Sequence, residues 1–175
     1  MNHLATSKED ILAASRDLIK ENGWAAVSIR AVASRCSVSA GTIYNYYESK
    51  ADLLSDTIES IWHEIFFHPE DEQVFHDVES CISWIYERLE YGNRQFPGFF
   101  SLHSFGFMRD EKTSGKKRMM KTWGHILNGL CEVLGNDPKV RADVFDQEFT
   151  EKKFADILFS LILVSMIRQL SLIHI

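Results

Sequence analysis

Proline, glycine and cysteine are scarce in this sequence. The 175 residues include three prolines and nine glycines, too few for a fold of many short strands joined by tight turns. The three cysteines are widely spaced and form no CxxC pair, which disfavours both a disulfide framework and a zinc knuckle. Hydrophobic residues make up 45% of the chain and charged residues 25%, as in ordinary globular proteins. We therefore expect an all-α protein in a reducing cytoplasm.

Long apolar runs are also absent. The N-terminal segment has no apolar stretch of signal-peptide length, and the longest apolar run, between Asp156 and Arg168, is far shorter than the roughly 20 residues that cross a membrane. We expect neither a targeting segment nor a membrane partner. The chain ends at Leu172-Ile173-His174-Ile175 without a polar cap, which favours a truncated or unnatural end.

Patterns that carry catalytic or metal chemistry are missing too. The sequence has no recognisable Ser/His/Asp or Cys/His arrangement and no glycine-rich phosphate loop. Its histidines lack the close spacing of metal ligands. We predict that the protein is not an enzyme and uses no cofactor or metal.

Charge is unevenly divided along the chain, whose formal net charge is -6. Residues 1 to 50 contain six basic and five acidic residues, a balance of +1, which leaves 13 basic and 20 acidic residues in the remainder, a balance of -7. Only the N-terminal segment is therefore suited to contact phosphate groups.

Capping residues and apolar spacing predict the N-terminal helices. A first helix spans about residues 7 to 22 and ends at Gly23, which tolerates a left-handed stop. The next three helices are capped by serines and end near residues 36, 46 and 67, respectively: they follow Ser28, Ser39 and Ser49. Two short helices joined by a tight turn are typical of a helix-turn-helix.

The remaining chain is predicted to form further helices. An acidic break with a proline at residues 68 to 72 precedes helices over about 74–91, 112–134 and 150 to the end, and residues 96 to 108 are short, aromatic and glycine-containing. The last helix is apolar nearly all round from Phe159 to Ile167, so we expect a partner to cover it. We predict a helix-turn-helix domain over residues 1–50 and a second helical domain over 51–175, connected by helix four.

The stretch from Ser28 to Leu54 resembles the DNA-binding signature of the TetR family of transcriptional regulators. The resemblance rests on Val-Ser-x-Gly-Thr-Ile-Tyr at 38–44, the pair Tyr46-Tyr47, and Ser-Lys followed by Leu-Leu at 49–54. It implies a transcriptional regulator, and we favour a repressor. Such a regulator binds a palindromic double-stranded DNA operator as a homodimer and is released by a small apolar or amphipathic effector. The resemblance thus implies that residues 51–175 form the effector-binding and dimerisation domain. One departure is Cys36-Ser37, where Ala-Gly is common: serine must then hold a backbone conformation that favours glycine, at a cost of roughly 1 kcal/mol.

The candidate DNA contacts surround the third helix. Small residues at its start allow the backbone to approach base edges in the major groove. Threonine and tyrosine hydroxyls and basic side chains can bind phosphates, while an asparagine can contact an adenine edge. The predicted contacts, positions that the family also uses, are Ser28, Arg30, Ser39, Ala40, Gly41, Thr42, Tyr44, Asn45, Tyr46 and Lys50.

Simpler interpretations remain open for several of these residues. Tyr44 can be a packing residue rather than a phosphate contact, and Arg30 and Lys50 can be solvated charges. Tyr47, Ile43 and Val38 are predicted to lie in the core.

In the C-terminal part, the resemblance implies an apolar effector cavity. Most aromatic residues of this kind are core residues, but we select four as candidate effector contacts: Trp84, Phe99, Phe100 and Trp123. The alternative function is a helical ligand-binding protein with a relic helix-turn-helix.

Overall fold

The computed structural model describes residues 6–67, 76–100 and 114–167, with the backbone alone at residues 114–122, 166 and 167. All regular structure in these ranges is helical, which confirms the all-α prediction. The helices are α1 (Lys8–Asn22), a 3₁₀ turn (Trp24–Ala26), α2 (Ile29–Arg35), α3 (Ala40–Tyr44), α4 (Lys50–Phe66), α5 (Val78–Gln95), α6 (Ser114–Asn136) and α7 (Glu151–Ile167).

The bounds of α1 follow from its two ends. The Ser7 hydroxyl accepts the Asp10 N–H at 3.1 Å, and the Asp10 carboxylate accepts the Ser7 N–H at 2.8 Å, so a capping box satisfies free donors at the start. Gly23 ends the helix with a φ of 77°, a conformation that strains residues with a Cβ. Ile11 and Ile19 are fully buried between these ends. The predicted first helix is confirmed.

The helix-turn-helix is built on two serine caps. Ser28 accepts the Ala31 N–H and Ser39 accepts the Thr42 N–H, each at 3.1 Å. Close backbone packing joins α1 to α2 and α2 to α3, with Val32 and Ile43 fully buried. The third helix is shorter than predicted, because Asn45 and Tyr46 form a turn instead of continuing it.

The turn between α2 and α3 contains the strained serine that the sequence predicts. Ser37 has a φ of 57°, in the left-handed region where a side chain with a Cβ is disfavoured. Its N–H donates to the Ser34 carbonyl at 3.1 Å, and the Val38 N–H donates to the Ala33 carbonyl at 2.9 Å. These bonds at the end of α2 hold Ser37 in place.

Replacing Ser37 with glycine is expected to stabilise the protein. Relief of the left-handed strain exceeds the entropy that glycine adds to the unfolded chain, so the free energy of unfolding rises by roughly 0.5–1 kcal/mol. Chemical denaturation measures the change. As a control, Ser34→Gly places glycine at an exposed position of α2 and lowers stability, because glycine weakens a right-handed helix. Equal effects of the two substitutions would contradict the strain at Ser37.

Helix α4 contains a boundary between two compact units of the chain. Ser49 accepts the Asp52 N–H at 3.2 Å, which confirms the predicted cap. The chain divides into two compact units, Met1–Glu64 with Gly92–Met119 and Ile65–Tyr91 with Met120–Ile175. Most of α4 therefore belongs to the same unit as α1 to α3, whereas the predicted domain boundary after residue 50 stays a prediction.

In the second unit, Asp137 fixes the start of α5. The buried Asp137 carboxylate accepts the N–H groups of Val78 and Lys139, each at 2.9 Å. The Asp77 carboxylate accepts the Ser80 N–H at 2.8 Å. These caps place the start of α5 at Val78, four residues after the predicted one, and Pro97 follows its end at Gln95. The predicted acidic break at 68–72, the aromatic stretch from 101 to 108 and the chain end lie outside the described residues.

None of the helices within the described ranges is long and apolar enough to cross a membrane.

Candidate nucleic-acid interface

The start of α3 is open and built from small residues. Ser39 and Gly41 are exposed, and Ala40 and Thr42 are half-buried. A Cβ added at Gly41 would meet no atom nearer than the Ser39 Oγ, at 3.5 Å. Because no large side chain projects from this end, the α3 backbone can approach a flat surface closely.

The three predicted serine and threonine contacts also have structural roles. The Ser28 and Ser39 oxygens accept helix N–H groups, and the Ser39 Oγ lies 3.0 Å from the Thr42 Oγ1. An N-cap hydroxyl accepts with a lone pair, which leaves the Ser28 O–H able to donate to another group. The caps thus orient these hydroxyls without using all of their bonding capacity.

The tyrosines near the end of α3 have different environments. Tyr44 is 55% exposed, whereas Tyr47 is only 3% exposed, so Tyr47 is a core residue as predicted. The Tyr44 ring is too exposed for core packing, which favours a surface contact. Tyr46 is 40% exposed, but its hydroxyl donates to the Thr6 carbonyl and holds the chain before α1 beside the end of α3. Asn45 is exposed next to these rings.

Some basic residues of the N-terminal segment form ion pairs within the protein, and others do not. Four of them make ion pairs with carboxylates: Lys8 with Asp56, Arg16 with Glu9 and Glu64, Lys20 with Glu64, and Arg35 with Asp17 and Glu21. Among the described residues, Arg30 and Lys50 are exposed and make no ion pair or hydrogen bond. These two cations lie at the start of α2 and of α4, on either side of α3 in sequence.

Arg35 illustrates why charge counting alone misleads. Its guanidinium forms a two-pronged hydrogen bond with Glu21 that joins α2 to α1. This hydrogen bond lowers the pKa of Glu21 and raises that of Arg35. Arg35 is therefore already occupied, and the cations available for phosphate are Arg30 and Lys50, both of which the sequence predicts.

The four predicted effector residues belong to two different units. In the first unit, Phe99 and Phe100 are buried, and each ring centroid lies 5.7 Å from that of Trp62 on α4. In the second unit, the Trp84 ring packs 5.7 Å from Phe66, and the Trp123 ring packs 5.6 Å from Phe159. Each of the four packs against at least one other aromatic ring, and their role in effector binding stays a prediction.

A surface groove in the second unit was not predicted. It has a volume of about 370 Å³ and lies between the start of α5 and the segment after α6, lined by Val78, Glu79, Ile82, Ser83, Asp137, Lys139 and Val140. None of the four predicted effector residues lines it. Sequence periodicity could not reveal this groove, because the long-range hydrogen bond from the Val78 N–H to the Asp137 carboxylate brings its two walls together.

Helix α7 has an exposed apolar stripe. Ile157, Leu161 and Val164 are 49%, 57% and 47% exposed, and their spacing places them on one face of the helix. Phe159 and Ile162 are buried on the other side. Large exposed side chains in one contiguous stripe mark surfaces that bind other molecules.

Part of the sequence is similar to known regulatory proteins. Residues 11–57 match the family model for bacterial regulatory proteins of the tetR family. The HTH-type transcriptional regulator UidR of Escherichia coli K12 is 38% identical over 48 residues, which are 27% of this chain and 24% of UidR. The match thus spans about a quarter of the curated relative.

Two solved structures share the fold over most of the chain. The regulator FadR from Bacillus subtilis, in complex with stearoyl-CoA, has a TM-score of 0.59 at 18% identity and covers 93% of this chain and 86% of FadR. A structure described as a possible TetR family transcriptional regulator from Streptomyces coelicolor A3(2) has a TM-score of 0.58 at 15% identity and covers 92% of this chain and 70% of the other. These likenesses extend the common fold beyond the N-terminal helices.

Proposed function

We propose that this chain, whose residues 11–57 match the tetR family model, is a transcriptional repressor of that family that binds a palindromic operator as a homodimer. A small apolar or amphipathic effector would release it from DNA. Because sequence similarity to the curated relative covers only 48 residues, the operator, the dimer and the effector are all parts of the proposal.

The observation that supports DNA binding most strongly is the open start of α3, which in sequence lies between two exposed cations that make no ion pair within the described residues. Small residues from Ser39 to Thr42 let the helix enter a major groove, where Asn45 can contact base edges. Arg30 and Lys50 can neutralise phosphates without first breaking an ion pair among the described residues. The exposed Tyr44 hydroxyl can donate to a phosphate oxygen.

The α7 stripe supports pairing with a second copy. Two recognition helices must enter successive major grooves about 34 Å apart, which requires a two-fold dimer. Ile157, Leu161 and Val164 provide an apolar face that a second α7 can cover in a four-helix arrangement with residues 112–134.

The proposed effector class rests on the aromatic character of the C-terminal part. Trp84, Phe99, Phe100 and Trp123 offer apolar rings, and a tryptophan N–H can bind a polar group of an amphipathic molecule. The fold relative from Bacillus subtilis was solved with stearoyl-CoA, an amphipathic molecule. An effector releases DNA only if it binds the DNA-free conformation more tightly.

Selection of bound fragments from the source genome tests the proposal. The protein should retain a small set of fragments that share an inverted repeat, with an affinity that falls steeply as salt increases. The alternative, a helical ligand-binding protein with a relic helix-turn-helix, predicts no salt-sensitive retention of any fragment.

Two substitutions separate phosphate contacts from base contacts. Lys50→Ala should weaken binding to every DNA sequence and lower the slope of log affinity against log salt by about one. Asn45→Ala should instead reduce discrimination between the operator and a mismatched site, by about 1–3 kcal/mol. Titrations at several salt concentrations measure both effects. Unchanged operator affinity in both variants would contradict the proposed docking.

A further inference from the structure

Glu64 on α4 binds two cations of α1. Its carboxylate oxygens lie 3.1 Å from the Arg16 Nε and 2.7 Å from the Lys20 Nζ. Arg16 also donates to the Ser60 hydroxyl, one turn earlier on α4. One carboxylate therefore joins two successive turns of α1 to α4.

The three side chains of this ion-pair group are less exposed than the carboxylates that form the other ion pairs of Arg16 and Arg35. The side chains of Arg16, Lys20 and Glu64 are 17%, 32% and 26% exposed, compared with 74% for Glu9 and 50% for Glu21. Partial burial reduces screening by water and salt, so such a group interacts more strongly than an exposed surface pair. The Glu64 contacts can therefore hold α1 in a fixed orientation on α4.

The contacts extend along one face of α4. Asp56, Ser60 and Glu64 are four residues apart and share that face, and the buried Asp56 pairs with Lys8 at 2.6 Å. Helix α1 in turn packs on α2, and α2 packs on α3. The angle between α1 and α4 therefore sets the angle of the recognition helix α3 relative to α4.

We propose that Glu64 is a positioning residue for DNA binding. By holding Arg16 and Lys20, it fixes α1, and with it α2 and α3, at the angle on α4 that a dimer needs to place both recognition helices on one duplex. This inference rests on the proposed function, because it concerns DNA affinity. Glu64 itself contacts no DNA.

A double-mutant cycle tests the role, with an operator fragment selected by the wild-type protein as the probe. Glu64→Gln removes the charge but keeps the size of the side chain, and Lys20→Met keeps an apolar stem beside the Phe96 ring, whose centroid is 5.0 Å from the Lys20 Nζ. We expect Glu64→Gln to weaken operator binding about tenfold, a typical size for coupling between sites. The double variant should be little worse than Glu64→Gln alone, because both substitutions remove the same contact.

The salt dependence distinguishes positioning from direct contact. The slope of log affinity against log salt should stay at the wild-type value in all three variants, since no phosphate contact is lost. Glu21→Gln is the matched control: it breaks an exposed ion pair between α1 and α2 and should leave operator affinity within about twofold, as surface pairs contribute little. Circular dichroism and thermal unfolding verify that each variant is folded.

Specific outcomes would overturn the inference. These are wild-type affinity for Glu64→Gln, additive losses in the double variant, or a reduced salt slope for Lys20→Met. If Glu64→Gln does not fold, Glu64→Asp, which retains the charge but shortens its reach, should show the same loss of affinity, and wild-type affinity there also overturns it. If the wild-type protein retains no fragment at all, the proposed function fails first, and the positioning role fails with it.

Discussion

Replacing Gly41 with leucine reduces operator affinity by about 10³-fold, toward the level of non-specific binding, without unfolding the protein. Gly41 is exposed at the start of α3, where the proposed docking brings the backbone against base edges. A leucine side chain there holds the helix away from the groove, so that Asn45 and Thr42 lose their contacts together. Binding to the selected fragment and to unrelated DNA, measured in parallel, gives the loss of specificity.

Stability should change in the opposite direction. The Cβ position at Gly41 is 3.5 Å from the nearest atom outside its chain neighbours, an ordinary contact distance. Leucine also favours a helix over glycine by roughly 0.5–1 kcal/mol. A variant that unfolds at a higher temperature yet no longer binds its operator would show that this position serves recognition.

Gly135→Leu provides the control for Gly41→Leu. Gly135 is an exposed glycine in the last turn of α6, and an added Cβ would meet no atom within 4 Å. The substitution should leave operator affinity unchanged. Equal losses of affinity in the two variants would mean that leucine acts through general damage, and full affinity in Gly41→Leu would contradict docking through α3.

The second large effect is expected at Leu161, the most exposed residue of the α7 stripe. Leu161→Glu places a charge in the centre of the proposed dimer interface, where an unpaired buried charge is strongly destabilising. The protein should become monomeric, and operator affinity should fall by about 10²-fold or more, because a single recognition helix retains only half of the contacts. Sedimentation analysis and operator titration measure the two changes.

Lys152→Glu is the matched control for Leu161→Glu. Lys152 is exposed on α7, away from the stripe, and this substitution changes the net charge by more than Leu161→Glu does. It should leave both the oligomeric state and operator affinity unchanged. A Leu161→Glu variant that remains dimeric would show that the stripe is not the interface, and a monomeric wild-type protein that binds its operator tightly would contradict the need for a dimer.

Much of the N-terminal fold could be predicted because its determinants are local. Ser7, Ser28, Ser39 and Ser49 each accept an N–H group of the helix that follows, and such caps can be recognised within four residues of sequence. The left-handed Ser37 was predictable from the resemblance to the TetR family, because glycine is common at this position of the turn. The small residues at the start of α3 are likewise contiguous in the chain.

Features that depend on distant residues could not be predicted. The sequence alone does not show that Arg35 is occupied by Glu21 or that Arg16 and Lys20 share Glu64, 44 residues away from Lys20. The same limit applies to Asp137, which caps α5 from 59 residues away and so moves the start of that helix past its predicted position. Phe99 and Phe100 also form part of the same unit as α1 to α3 and most of α4, although they follow α5 in the sequence.

The bond between Tyr46 and Thr6 has a practical consequence for purification. Because the Tyr46 hydroxyl donates to the Thr6 carbonyl, and Thr6 is itself buried, residue 6 lies beside the end of α3, the helix that we propose recognises DNA. A basic affinity tag fused close before residue 6 would add its own attraction to phosphate, and a bulky fusion there would obstruct the proposed duplex. DNA binding should therefore be measured after proteolytic removal of such a tag. The affinity of a tagged sample would combine the contribution of the tag with that of the protein.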